Sequence, residues 1–204
     1  MKRILAAGFL IATLCGGTAL AGDIVEEWAS IKPAAPALKP VTVDPKTTAL
    51  LMLDFMKQNC GQRPRCMASL PAMKKLLDSA RAAKAHVVYS IIANSTINDV
   101  LPDVAAQSGE PSVLAGPDKF RNTDLEKILK DKGIQTVIVA GTAANGAVLY
   151  TGSGAAFRGM KVIVPVDGMS ADEVFPELYT AWHLATAARI SSNVTLTKFE
   201  MIGF

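Results

Sequence analysis

The sequence predicts an α/β fold: a Rossmann-like three-layer sandwich with a mainly parallel sheet and helices on both faces. Three observations lead there. Short apolar runs at 49–53, 86–92, 136–140 and 161–166 show little polar alternation, as strands buried on both faces require, and Val194-Thr-Leu-Thr197 reads as a last strand. Segments with apolar residues at helical spacing stand between them. Most connections are short, and strands alternating with helices over short loops pack as a parallel sheet covered on both sides.

The N-terminal quarter reads differently. Met1-Lys-Arg is followed by an apolar run over 4–15 and by small residues ending in Ala19-Leu20-Ala21, the order of a secretory leader cleaved before Gly22. Gly16-Gly17-Thr18 interrupts the run too early for a membrane span. Residues 22–47 hold Pro33, Pro36, Pro40 and Pro45 and are expected to form an extended arm. The expected organisation is therefore a leader at 1–21, a Pro-rich arm at 22–47 and one domain at 48–204. The net charge of +3 includes Lys2 and Arg3, so the mature chain carries +1. That is too small a charge to hold a nucleic acid or an anionic membrane. Half of the residues are apolar, which excludes a disordered chain.

Within the domain, Ala49-Leu-Leu-Met-Leu53 forms the first strand and ends at Asp54. Ser69-Leu-Pro71 opens a helix with Pro in its first turn, and Met73, Leu76, Leu77 and Ala80 continue it to about 85. The second strand, 86–92, leads into an irregular stretch over 93–122 rich in Pro and Gly; so long a loop is functional or disordered. Thr123 caps a helix over 124–132 that Gly133 ends. A strand at 136–140, a helix over 144–157, a strand at 161–166 followed by Asp167, a helix over 171–189 and a strand at 194–197 complete the order.

Cys60 and Cys66 are the cysteines left after the leader, separated by Gly-Gln-Arg-Pro-Arg. In the oxidising space that a periplasmic or secreted protein meets, a disulfide is the first reading, contributing roughly 2 kcal/mol by loop entropy. Two Cys with no nearby His make a poor metal site, since His86 and His183 are the chain's histidines; no metal and no cofactor are expected.

Ligands of open α/β sheets bind beyond the carboxyl ends of the strands. That rule selects Asp54, residues 93–95, residues 141–147 and Asp167. Asp54 follows five apolar residues, so its carboxylate is expected at a dry pocket mouth suited to proton transfer, with a helix cap or a surface ion pair as the alternative. Gly141-Thr-Ala-Ala-Asn-Gly-Ala147 enters a helix through small residues, whose N–H groups can hold an anion or a polarised oxygen. The alternative there is close helix–sheet packing. Its glycines do not have the spacing of a dinucleotide fingerprint.

Leu51-Met-Leu-Asp54, Asp118-Lys-Phe-Arg-Asn-Thr-Asp-Leu125, the run from Val137 to Thr151, and Arg158-Gly-Met-Lys-Val-Ile-Val-Pro-Val-Asp167 together resemble the isochorismatase-like hydrolases, or cysteine hydrolase superfamily. The resemblance covers about 48–174. It implies an Asp, a Lys and, in the amidase branch, a nucleophilic Cys. Asp54 falls on the Asp and Ala147 on the Cys. Leu114 falls on the Lys position; Lys119, close by, either reaches the same space from a shifted loop or lies on the surface. Met56 stands where a Gln is frequent, and residues 93–98 offer no His for the metal of the nicotinamidase branch. The resemblance also implies a non-proline cis peptide near Gly141-Thr-Ala143. Asn94, Phe120, Thr142, Ala143, Asn145 and Gly146 complete the expected substrate-binding set.

Without a thiol at Ala147, covalent acyl chemistry loses its attacking atom. The isochorismatase branch, which the small residue resembles, implies protonation of a vinyl ether by the Asp and attack by water. The expected function is an exported hydrolase of a small molecule, acting through Asp54 and Lys119 by acid–base chemistry. A catalytically inactive relative that binds a small molecule or a protein is the alternative. A nucleophile at Ser95, Thr151 or Ser153 lacks a basic partner. The expected partners are a small-molecule substrate, no nucleic acid and no membrane after leader cleavage, with a homo-oligomer implied by the arm and the resemblance.

Overall fold

The computed structural model describes residues 23–204; the expected leader lies outside them. The described residues fall into two units, which part after Pro33. In the first, Asp23 accepts hydrogen bonds from the N–H groups of Val25 and Glu26 and so caps the short helix α1 (Ile24–Glu27).

In the second unit the strands are β1 (Val41–Thr42), β2 (Thr48–Leu53), β3 (His86–Ile91), β4 (Ser112–Leu114), β5 (Thr136–Thr142), β6 (Lys161–Pro165), β7 (Met169–Ser170), β8 (Val194–Thr197) and β9 (Ile202–Gly203). Seven of them form one sheet in the order β4-β3-β2-β5-β6-β8, with β7 added to the end of β5, and every ladder is parallel. The helices are α2 (Pro64–Ala82), α3 (Leu125–Asp131), α4 (Leu149–Phe157) and α5 (Val174–Thr186).

All six residues of β2 are buried because successive side chains enter opposite layers. Ala49, Leu51 and Leu53 join a core cluster with Leu125 and Leu129 of α3, Leu149 and Ala155 of α4, and Leu184 of α5. Leu50 and Met52 face the other way, against Leu70, Met73, Leu76 and Leu77 of α2. β5 divides in the same manner, Val137 and Val139 to the first layer, Ile138 and Ala140 to the second. This double burial is the reason these strands read as unbroken apolar runs.

The strand order reverses at β2: β3 and β4 lie on one side, β5, β6 and β8 on the other. A crevice opens where neighbouring connections leave in opposite directions, between the carboxyl ends of β2 and β5. Gly141 permits the approach there. Its φ is +145°, and a Cβ at this position would sit 2.1 Å from the main-chain oxygen of Leu53.

The structure differs from expectation at several elements. α2 starts at Pro64, not near Pro71; Pro64 takes the first-turn position, and Pro71 lies inside the helix. The segment entering α4 is a π-helical turn over Ala144–Val148 before the α-helix begins at Leu149. α5 is shorter than 171–189, since Ala187 leaves helical geometry. Residues 38–47 belong to the fold: the Lys39 N–H donates to Leu196 O, Val43 is buried, and β1 pairs with β9. The stretch 93–122 is ordered and contributes the edge strand β4. Arg81 of α2 holds it, donating to both carboxylate oxygens of Glu110 at 2.8 Å and to Ala105 O at 2.9 Å. The Tyr89 hydroxyl adds a bond to Val104 O at 2.9 Å, and burial pushes its pKa above the ordinary tyrosine value.

Gly141→Ala is expected to remove the native state, because the clash is with backbone and costs about 4 kcal/mol or more. Urea unfolding followed by circular dichroism checks this; a loss of under about 1 kcal/mol would contradict the close approach.

Candidate active site

Asp54 is the first residue beyond β2 and adopts a left-handed conformation, φ 56°, a region Asp visits more readily than most side chains. The turn aims its carboxylate back across the sheet end. Ser90, near the end of β3, donates its hydroxyl to Asp54 Oδ1 at 2.6 Å and accepts the Asp54 N–H at 3.2 Å. Lys119 Nζ donates to Asp54 Oδ2 at 2.6 Å and to Gly116 O at 2.9 Å. The lysine and aspartate side chains are 1% and 6% exposed, so this ion pair is buried. Of the two readings of Lys119, the structure takes the first: from its shifted loop the ammonium reaches the carboxylate.

The turn that carries Lys119 is held from α4. The Lys119 N–H donates to Thr151 Oγ1 at 3.2 Å, and that hydroxyl lies 3.4 Å from Pro117 O. Thr123 Oγ1 donates to Lys119 O at 2.5 Å and accepts the N–H of Leu125, closing the turn onto the start of α3. Leu114, on β4, lies on the cavity wall and is exposed.

The pair stands at a cavity of about 930 Å³, the size of a small-molecule site. Asp54, Thr142, Ala143, Gly146 and Ala147 line it, together with Asn59, Asp118, Arg121, Asn122 and Tyr150. Ala147 presents a methyl group where the resemblance places a thiol. The peptide between Thr142 and Ala143 is cis, as the resemblance implied. The N–H groups of Gly146 and Val148 are turned to Ala143 O at 3.0 and 3.3 Å, so the turn's own carbonyl takes two of the donors expected to face a ligand.

Lys119 reaches the cavity through Asp54 without lining it, and three of the expected substrate-binding residues also fall outside the lining. Phe120 is buried behind the cavity under the Arg158 guanidinium, whose carbon lies 4.3 Å from the ring centre. Asn94 is exposed in a left-handed turn just past Ala93, and Asn145 points to solvent from the π-helical turn. Asp167 accepts the Phe199 N–H at 3.0 Å and does not line the cavity. Ser95 and Thr151 are bonded to main-chain oxygens, and neither they nor Ser153 line it. Cys60 and Cys66 form the expected disulfide, with both residues buried. No group of His, Cys, Asp and Glu able to hold a metal occurs among the described residues. Asn59, Arg121 and Tyr150 are cavity residues that the sequence reading passed over. Asn59 carried one usable signal: it lies five residues beyond Asp54 and directly before the first bridged Cys.

A sequence model of the isochorismatase domain matches residues 48–197. The chain belongs to the isochorismatase family. The secreted isochorismatase effector Isc1 of Verticillium dahliae is 26% identical over 149 residues, covering 66% of this chain and 78% of that protein. An isochorismatase-like hydrolase from Alkaliphilus metalliredigens superposes with a TM-score of 0.67 at 22% identity, over 76% of this chain and 87% of its own. An isochorismatase family protein from Burkholderia thailandensis gives 0.68 at 18%, over 80% and 96%. N-carbamoylsarcosine amidase from Thermoplasma acidophilum gives 0.65 at 20%, over 76% and 97%. At these identities the structures establish the fold: the α/β architecture of the isochorismatase-like hydrolases.

Removing one member of the buried pair strands the other charge. Asp54→Asn and Lys119→Met are each expected to cost about 3–5 kcal/mol, and the double variant less than their sum. Chemical denaturation of the three variants measures the coupling.

Beside Phe120, hydrogen bonds from Lys130 and Arg158 hold the Glu126 carboxyl at about 2. A depressed carboxylate stabilises the fold above its unfolded value, and that contribution fades as pH falls from 4.5 towards about 2. Glu126→Gln is expected to flatten this part of the melting temperature's acid limb, seen by scanning calorimetry across that range.

Proposed function

We propose that this protein is an exported hydrolase that cleaves a vinyl ether in a small metabolite, without a covalent intermediate. The observation that carries the reading is the buried 2.6 Å contact of Lys119 Nζ with Asp54 Oδ2 at a cavity whose wall bears a methyl at Ala147. A buried carboxylate paired with an ammonium, with a methyl at Ala147 where a thiol would attack, supports acid–base chemistry in preference to acyl transfer.

The proton passes from Lys119 across the short bond to Asp54 and from Asp54 to the terminal carbon of the vinyl ether. The adjacent carbon becomes an oxocarbenium ion. The carboxylate left behind opposes that positive charge in a site shielded from water's dielectric. Water adds to the cation and returns one proton to the pair, and the hemiketal opens to a ketone and an alcohol. Ser90 holds Oδ1 throughout, so Oδ2 is the oxygen that handles the proton.

Export rests on the leader pattern, on the Cys60–Cys66 bridge and on a relative whose name joins secretion to isochorismatase. That relative makes isochorismate the first substrate to try, although an exported protein must meet it outside the cell that produces it.

Incubation of residues 22–204 with isochorismate, with pyruvate release coupled to lactate dehydrogenase, tests the reading. Turnover that falls about 100-fold or more in Asp54→Asn, in protein that remains folded, is the expected result. Turnover that survives Asp54→Asn overturns the mechanism. Binding of isochorismate without turnover in the unsubstituted protein favours the binding-module alternative.

A further inference from the structure

The cavity holds one polar side chain whose two ends are both read by the protein and which the acid–base pair does not use. Asn59 lies on the loop between β2 and α2, in a tight turn where its N–H donates to Met56 O at 3.0 Å. Its Oδ1 accepts from Arg63 Nη1, which also donates to the Asn59 main-chain oxygen at 3.2 Å. Its Nδ2 donates to Thr142 O at 3.4 Å.

These neighbours decide which end of the carboxamide is which. A guanidinium only donates and a peptide carbonyl only accepts, so the amide oxygen must face Arg63 and the nitrogen must face Thr142. Arg63 is itself held by its loop. Its Nε lies 2.9 Å from Oδ1 of the exposed Asp172, an ion pair without a hydrogen bond, and it stands inside the Cys60–Cys66 bridge, which ties the loop to the first turn of α2. The Asn59 nitrogen carries two hydrogens, of which Thr142 takes one. The second has no protein acceptor among the described residues and belongs to a side chain on the cavity wall. The amide therefore offers this cavity a donor and withholds its acceptor.

We infer that Asn59 positions the ligand by donating its free Nδ2–H to an acceptor oxygen, a carboxylate, carbonyl or hydroxyl oxygen, and that Arg63 is the positioning residue that keeps the amide from turning over. The ligand class is thus a small molecule with an acceptor oxygen on the side facing the bridged loop. This rests on the proposal that the cavity takes a small-molecule substrate, but not on its hydrolysing one.

The test measures the dissociation constant of isochorismate, used as the probe, by calorimetry with the unsubstituted protein and with Asn59→Asp, Asn59→Ala and Arg63→Met, and kcat and KM wherever turnover occurs. Asn59→Asp keeps the oxygen that Arg63 binds and loses the donor, so its fold is retained while its affinity falls about tenfold or more, the loss of one hydrogen bond with a repelling oxygen in its place. Arg63→Met weakens binding less than Asn59→Ala, because the amide can still sample the useful orientation. KM rises and kcat changes little in both, which a general loosening of the fold would not produce. Binding unchanged in Asn59→Asp overturns the inference and leaves the hydrolase reading standing. Binding without turnover, weakened by Asn59→Asp, supports the inference and removes the hydrolase reading. No binding of isochorismate to the unsubstituted protein at millimolar concentration overturns both.

Discussion

An ammonium and a carboxylate taken out of water together lose several kcal/mol of hydration each, and their attraction offsets this only if the remaining polar atoms also find partners. At Asp54 and Lys119 those partners come from separate parts of the chain: Ser90 at the end of β3, the main-chain oxygen of Gly116, and Thr151 on α4 beneath the lysine's own N–H. The arrangement forces a left-handed residue after β2 and a closed turn before α3. It also ties down the long connection that precedes that turn. Arg81 and Tyr89 secure the connection's other half. A loop that the sequence marks as irregular is in consequence a fixed wall of the cavity.

The crevice itself is a property of strand order. Because β2 sends its neighbours in opposite directions, the sheet's carboxyl edge parts at β2 and β5, and Gly141 brings the two backbones close enough for Asp54 and residues 142–147 to share one space. The π-helical turn then turns Ala147 toward the cavity while consuming two of its own N–H groups. What the turn contributes is a shaped, uncharged surface; the charge chemistry stays with the buried pair.

Strands β2, β3, β5 and β6 were legible because burial on both faces leaves near-continuous apolar runs, β8 as the short Val-Thr-Leu-Thr segment that closes the order, and the α/β class followed from their alternation with helices. β1, β4, β7 and β9 were not, since two or three residues cannot establish a period. Asp54 could be found from one strand and one topological rule. Lys119 could be named but not placed: whether a lysine near the family position turns inward depends on Thr123 bonding back to Lys119 O, which its reading as a helix cap does not reveal, and on Thr151, 32 positions away. Phe120 was misplaced for a related reason, since its ring satisfies Arg158 behind the cavity and not a ligand within it. The role of Asn59 was not legible, since its place near Asp54 and before Cys60 says nothing of what faces its two ends, and Thr142 lies 83 positions away.

The pairing of β1 with β9 has a mechanical consequence. Val41 sits beside Ile202 and Thr42 beside Gly203, and the Val43 N–H donates to Gly203 O at 2.9 Å; because the two strands run parallel, the chain enters this ladder at one end through Pro40 and leaves it at the other through Phe204. Pulling on the segment before Lys39 and on Phe204 therefore shears that ladder along its length, and the Lys39 N–H bond to Leu196 O carries part of the load into β8. A load on either segment thus meets the two-stranded patch and the edge strand β8 before it reaches the crevice between β2 and β5.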